Sequence, residues 1–487
     1  MRKNNSKLIG LIICSFIFSS SATFSVQLKQ SHPEPIKNLR KSPENNIEID
    51  LINYYNSQYT GTMVMGSNNQ SFNLIFDTSS PWLWVLESAP NSKDVQSTSK
   101  FDCLLSSSCR YAKQITGDFM MAEYFAFSKS VNIEGIIASD YISFPNSRVL
   151  NQSFLIMSEE HADLLSGYSV DGICGLGPKN DKKMPTFLNK LKKEGLIEKE
   201  IFSLYLHNNP EAYDEEGSEI IFGGMNETKK IGKFVTVSAR DSLYWEANLD
   251  NIFLSVGNTS SRVEKVATYV VFDSGINTLK MAQSDFLTLI KKLKQDFGKS
   301  CSYFGFFEKV YACECPGGDI DSFPNITFVI NGQVLPIPPS QYLMVRKDNC
   351  VLLMEGSPIL EFPKKESQED ENNGQSDKIP TDPENFLVLG TPFLRNYYTV
   401  FNVENKTISF AQAMQNTKKA ITTLELIYMV FGIFIFILFC ALVTYATRIW
   451  TNKNKNAKKE SVTFDNIITE GTERMNSTAS YRPINFA

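Results

Sequence analysis

The sequence predicts a mainly β fold in two similar lobes, and three observations carry that prediction. Short alternating apolar runs separated by turn residues fill the middle of the 487-residue chain, the pattern of half-buried strands. Phe and Tyr are abundant, at 35 and 19 residues, and both favour strands. One strand-plus-turn motif occurs twice, as "FDTSS" at 76–80 and "FDSGI" at 272–276, each time closing an apolar run. A chain of this length holds two core-forming domains with segments to spare. The net charge of −5, with dispersed basic residues, argues against nucleic acid as a partner.

The elements follow in chain order. Residues 1–25 read as a secretory signal peptide: Arg2, Lys3 and Lys7 precede "LIGLIICSFIF", and small residues follow. Residues 26–48 are polar and locally basic (Lys29, Lys37, Arg40, Lys41). They form either a linker or a pro-segment whose lysines face acidic groups in a zymogen. The first β lobe spans 51–225 and carries one helical stretch, "MPTFLNKLKKEGLIEKEIF". The second spans 230–413 with its own helix, "AQSDFLTLIKKLKQDFG". Residues 361–385 are acidic and polar, a long solvated loop. Residues 426–445 form an uninterrupted apolar run long enough for a transmembrane helix. Arg448, Lys453, Lys455, Lys458 and Lys459 follow it and place the tail, 451–487, in the cytosol. The chain therefore reads as a single-pass type I membrane protein with its body luminal or extracellular. In the tail, "YRPI" at 481–484 fits a Tyr-x-x-apolar sorting signal, which points to endosome, lysosome or plasma membrane.

Cysteine usage suits an oxidising lumen. Cys103 and Cys109 bracket a short polar loop and pair. Cys350 pairs with Cys313 or Cys315, leaving the other for Cys301. Cys174, in "DGICGLG", packs as a small buried hydrophobe. The 301–315 cluster has no nearby histidine and no finger-like spacing, so no metal site is expected. Six N-x-S/T sequons (Asn69, Asn151, Asn226, Asn258, Asn325, Asn405) make the body a candidate glycoprotein. The histidines, His32, His161 and His207, accompany no nucleophile motif, and HExxH is absent.

The repeated motif carries the chemistry. A lone Asp in a turn usually caps backbone N–H groups. Two copies in matching contexts, each followed by a later apolar run ending in glycine ("DGICGLG", "FLVLGTPF"), suit two lobes that each offer one carboxylate at their interface. Two carboxylates held about 3 Å apart share one proton. The ionised one takes a proton from a water held between them, and the protonated one hydrogen-bonds an amide carbonyl.

Here the chain resembles the pepsin-like (A1) aspartic endopeptidases. "QYTGTMVMGSNNQSFNLIFDTSSPWLWV" is similar to their first strands and Asp-Thr-Gly-Ser loop, with Trp84 at the family's tryptophan position. "DSFPNITFVINGQVLPIPPSQYL" and "VLGTPFLRNYYTVFNVENKTISFAQA" resemble their later segments, and the likeness covers about 51–413. The resemblance implies a bilobal acid-protease fold of two β-barrel-like lobes with a cleft between them. It implies Asp77 and Asp273 as the catalytic pair, Thr78, Ser79, Ser80, Ser274 and Gly275 as loop support, and Cys350 as a bridge partner. It also implies protein or peptide substrates, no cofactor, a zymogen and a monomer. A catalytically impaired peptide-binding protein on the same fold is the alternative.

The sequence departs from the family pattern at four places. Ser79 replaces glycine in the first loop. Ile276 replaces a hydroxyl residue in the second, and Thr391 stands where Asp is frequent. The changes at 276 and 391 both predict a working pH less acid than that of the family's acidophilic members. The family's flap hairpin has its nearest counterpart in "EYFAFSKSVNIEGIIASD", where Tyr124 is the flap tyrosine or an ordinary strand aromatic, and Phe125 and Phe127 fill glycine positions.

Overall fold

A computed structural model describes residues 46–87, 99–114, 116–126, 131–144, 148–157, 170–180, 182, 184–209, 213–304, 310–357, 386–415 and 431–455. The signal segment, nearly all of the pro-segment, the 361–385 loop and the sorting motif lie outside the described residues. The described residues up to Gln415 belong to one compact unit and those beyond it to another.

The first unit is mainly β and repeats one motif. In its first half, strand Gln70–Asp77 runs parallel to Gly172–Gly175, with Asp77 opposite Gly175. Trp84–Leu86 pairs antiparallel with Gly172–Gly175 and parallel with Arg148–Met157. In its second half, Tyr269–Phe272 runs parallel to Phe386–Leu389, with Phe272 opposite Leu389. Leu279–Ala282 pairs antiparallel with Phe386–Leu389 and parallel with Met354–Ser357. The pairing order is the same in both copies. The central strands are buried on both faces, as expected of apolar runs without alternation.

The repeated glycines have a steric cause. A Cβ on Gly175 would stand 2.4 Å from the Trp82 carbonyl oxygen and 2.5 Å from that of Ser80. A Cβ on Gly390 would stand 2.2 Å from the Thr278 oxygen and 2.7 Å from that of Ile276. In each half the chain after the aspartate crosses directly over its glycine, and only glycine leaves room.

The sheet of the first half continues, through Gln58–Met65, into strands that join the halves. These strands run in the order Lys230–Ser238, Thr407–Ala413, Tyr397–Asn402, Ile201–Tyr205, Tyr213–Phe222, Ile47–Tyr54. Phe202 stacks on Phe401 across them, centroids 4.7 Å apart, and the Trp245 ring lies 5.1 Å from that of Phe401. The buried core accordingly runs continuously through both halves. The first described strand opens at Ile47, inside the expected 26–48 segment.

Both expected helices form, at different lengths. Gln283–Phe297 fills its predicted stretch and ends at Gly298, φ +67°, a left-handed C-terminal cap. The earlier stretch gives only Phe187–Lys193, capped by Thr186 and stopped before Gly195, φ +69°. The apolar residues beyond it, Ile201 and Phe202, instead enter the joining sheet, where burial outweighs helix periodicity. Disulfides link Cys103 to Cys109, Cys301 to Cys313 and Cys315 to Cys350. This settles Cys350's partner as Cys315, while Cys174 is a buried thiol.

In the second unit one helix, Phe431–Lys455, is long and apolar enough to cross a membrane. Its 25 residues rise about 37 Å, more than a bilayer core of about 30 Å. Its described part begins after the expected 426 and runs ten residues past the expected 445. The basic residues through Lys455 thus continue the helix rather than ending it.

Candidate active site

Asp77 closes the strand Gln70–Asp77, and Asp273 directly follows Tyr269–Phe272. Though 196 positions apart, Thr78 and Ser274 hold the two turns together reciprocally. The Thr78 N–H donates to Ser274 Oγ at 3.0 Å, and the Ser274 N–H donates to Thr78 Oγ1 at 3.0 Å. The Thr78 hydroxyl donates to the Phe272 carbonyl at 2.7 Å, and the Ser274 hydroxyl to the Phe76 carbonyl at 2.6 Å. All four groups are buried, so each hydroxyl satisfies a main-chain group of the opposite turn that would otherwise be costly to bury.

This lock brings the two acids together. Asp77 is 5% exposed and Asp273 1%, and their side chains lie within hydrogen-bonding reach. A Cβ on Gly275 would sit 2.9 Å from Asp77 Oδ2 and 3.1 Å from Asp273 Oδ1, so glycine is required where that turn passes the pair. The two acids are served unequally. Asp77 Oδ1 accepts from the Ser79 N–H at 2.8 Å and the Ser79 hydroxyl at 2.9 Å, and its Oδ2 from the Ser80 hydroxyl at 2.5 Å. Asp273 Oδ1 accepts from the Gly275 N–H at 2.7 Å, while its Oδ2 is buried without a donor.

Burial first, then the adjacent Asp77 charge, holds Asp273 well above the ordinary carboxylate range, against the Gly275 N–H. Ile276 supplies no hydroxyl and packs in an apolar cluster with Tyr244, Tyr269, Val271, Phe386 and Val388. Thr391 accepts the buried Arg395 guanidinium at 3.5 Å, and its N–H donates to the Ile276 carbonyl at 2.8 Å.

Trp84 is fully buried in a cluster with Ile75, Trp82, Ile137, Leu155 and Met157. It supports the strand Val131–Phe144 from inside the lobe. Tyr124 lies on the strand Met121–Ala126 opposite Ile133 of that same strand, so the expected hairpin exists; its side chain falls outside the described residues. Among the described residues no group of three or more His, Cys, Asp or Glu side chains is placed to hold a metal ion. Sequence reading passed over Trp245, whose indole N–H donates to the Leu176 carbonyl at 2.8 Å and whose own carbonyl accepts from Phe272 at 3.0 Å. Trp245 therefore ties the glycine turn of one half to the aspartate strand of the other. No local motif marks that residue, because its partners are 69 positions before it and 27 after.

The family model for eukaryotic aspartyl proteases matches residues 58–413. The chain belongs to the eukaryotic aspartyl protease family. Among its relatives, rabbit (Oryctolagus cuniculus) pepsin II-1 is 28% identical over 366 residues, 74% of this chain and 83% of the relative. Pepsin A of Sus scrofa is 28% identical over 364 residues, with coverage of 74% and 83%. A probable vacuolar protease A of Trichophyton verrucosum is 26% identical over 371 residues, 76% of this chain and 81% of the relative. Asp77 and Asp273 both lie inside the matched span.

Proposed function

We propose that the protein is an aspartic endopeptidase that cleaves protein or peptide substrates at the Asp77–Asp273 pair. The observation that carries this reading is the buried, unequally served carboxylate pair. Asp77, with three donors, is the acid best kept ionised. Asp273, with Oδ2 buried and lacking a donor, is the acid best kept protonated. A water between them loses a proton to Asp77 as its oxygen attacks the scissile carbonyl carbon. The Asp273 proton hydrogen-bonds the carbonyl oxygen and stabilises the charge that develops there. Asp77, now carrying the water's proton, passes it to the leaving nitrogen as the tetrahedral carbon collapses, and no covalent enzyme intermediate forms.

The body acts at a membrane surface in this reading. The apolar helix Phe431–Lys455 spans the bilayer once, with Arg448, Lys453 and Lys455 on the cytosolic side, and the three disulfides suit a luminal or extracellular body. A peptide-library digest with full-length protein in detergent tests the activity. Cleavage by wild type that is lost in Asp77→Asn supports an endopeptidase. Peptide binding without cleavage at any pH would replace it with a binding protein on the same fold.

A further inference from the structure

The geometry around Ser79 is specific. Its backbone N–H and its hydroxyl both donate to the same oxygen, Asp77 Oδ1, at 2.8 and 2.9 Å. The residue is 2% exposed. Its counterpart in the second turn is Gly275, where a Cβ would collide with Asp77 Cγ at 2.8 Å. The next positions also differ: Ser80 gives its hydroxyl to Asp77, whereas Ile276 turns into an apolar cluster. Two side-chain hydroxyls therefore serve the pair, and both are directed to Asp77.

A hydroxyl has one proton to give. Donated to Asp77, it favours the charged form of that acid, and it leaves the Ser79 oxygen with lone pairs toward a protonated neighbour. Since the two acids titrate as one system, any donor confined to Asp77 sets where their common proton resides. We propose that Ser79 is a positioning residue of the pair. Its hydroxyl fixes Asp77 as the acceptor and Asp273 as the proton carrier, a bias that the absence of a hydroxyl at Ile276 reinforces. This inference rests on the endopeptidase reading for its kinetic consequence and on geometry alone for its titration consequence.

The test uses full-length protein in detergent and two measurements. The first is a difference potentiometric titration of wild type against Ser79→Ala, which needs no activity. Loss of one hydroxyl donor raises the lower apparent pKa of the pair by about one pH unit. The second is the pH profile of kcat/KM. Its acid limb moves to higher pH by the same amount in Ser79→Ala, with kcat/KM lowered about tenfold at the acid end. Ser79→Thr, which keeps a hydroxyl, restores both. A role confined to packing leaves the titration of Ser79→Ala unchanged, and that result overturns the inference. A profile that rises in Ser79→Gly without moving its limbs also overturns it, since the hydroxyl then only obstructs the cleft. If wild type cleaves nothing, the endopeptidase reading fails and the titration alone decides the role of Ser79.

Discussion

The turns after Asp77 and Asp273 are copies of one design that have diverged at two positions. Each follows an apolar strand, crosses over a glycine and gives a hydroxyl (Thr78 or Ser274) to the main chain of the other. The shared features are those that hold the backbones together. The differing ones, Ser79 against Gly275 and Ser80 against Ile276, are those that face the carboxylates. The fold requires the two turns to match where they lock. The chemistry requires two acids in different protonation states, so unequal surroundings suit it. Symmetry in this molecule belongs to the scaffold and asymmetry to the pair.

The most damaging way to break that comparison is to neutralise one acid. Asp77→Asn and Asp273→Asn should each lower kcat/KM by about 10³-fold or more, measured on a peptide identified in the library digest. Cutting the lock comes next. Thr78→Val keeps the shape but removes the hydroxyl that donates to Phe272 and accepts from Ser274. A loss of about 3 kcal/mol in unfolding free energy is expected, read by urea denaturation.

Glu219 separates the pH dependence of the scaffold from that of the pair. It is buried in the joining sheet near Glu48, Asp50 and Lys229, and burial first of all pushes its carboxyl from 4.5 up to about 7. The folded protein therefore holds a proton there over a range in which the unfolded chain has released it. The contribution of Glu219 to stability is greatest at acid pH and falls as pH rises between about 4.5 and 7. Glu219→Gln should remove about 2–3 kcal/mol of that fall, seen by comparing unfolding at pH 4 and pH 8, without moving the limbs of the activity profile. The smallest expected effect sharpens the comparison. Ile276→Thr offers Asp273 a hydroxyl like that of Ser80 and should move the alkaline limb of the profile to lower pH by less than one unit.

Much of this was legible in the sequence because it is local. The strand running into Phe-Asp, the hydroxyl residue after it and the later apolar run ending in glycine recur within short windows. Their recurrence implied two lobes and a pair. The Cys103–Cys109 bridge was legible for the same reason. What was hidden depends on contacts between distant segments. The joining sheet collects strands from residue 47 to residue 413, so Ile201 and Phe202 looked like the tail of a helix until their partners were in place. Whether Cys350 met Cys313 or Cys315 was hidden because Cys313 stands opposite both Cys301 and Cys350 in the sheet, and it bonds Cys301. Ser79 read equally as an obstruction or a donor, and only its rotamer, aimed at Asp77 Oδ1, decides between them.

The pH profile of kcat/KM for the full-length wild-type protein reports whether the two acids act as one unit carrying a single proton. A single shared proton gives a bell. Its acid limb marks uptake of a second proton, and its alkaline limb lies above the ordinary carboxylate range, because burial and the neighbouring charge raise Asp273. Cleavage that persists undiminished into alkaline solution, or that is retained when either aspartate is replaced by asparagine, would contradict it.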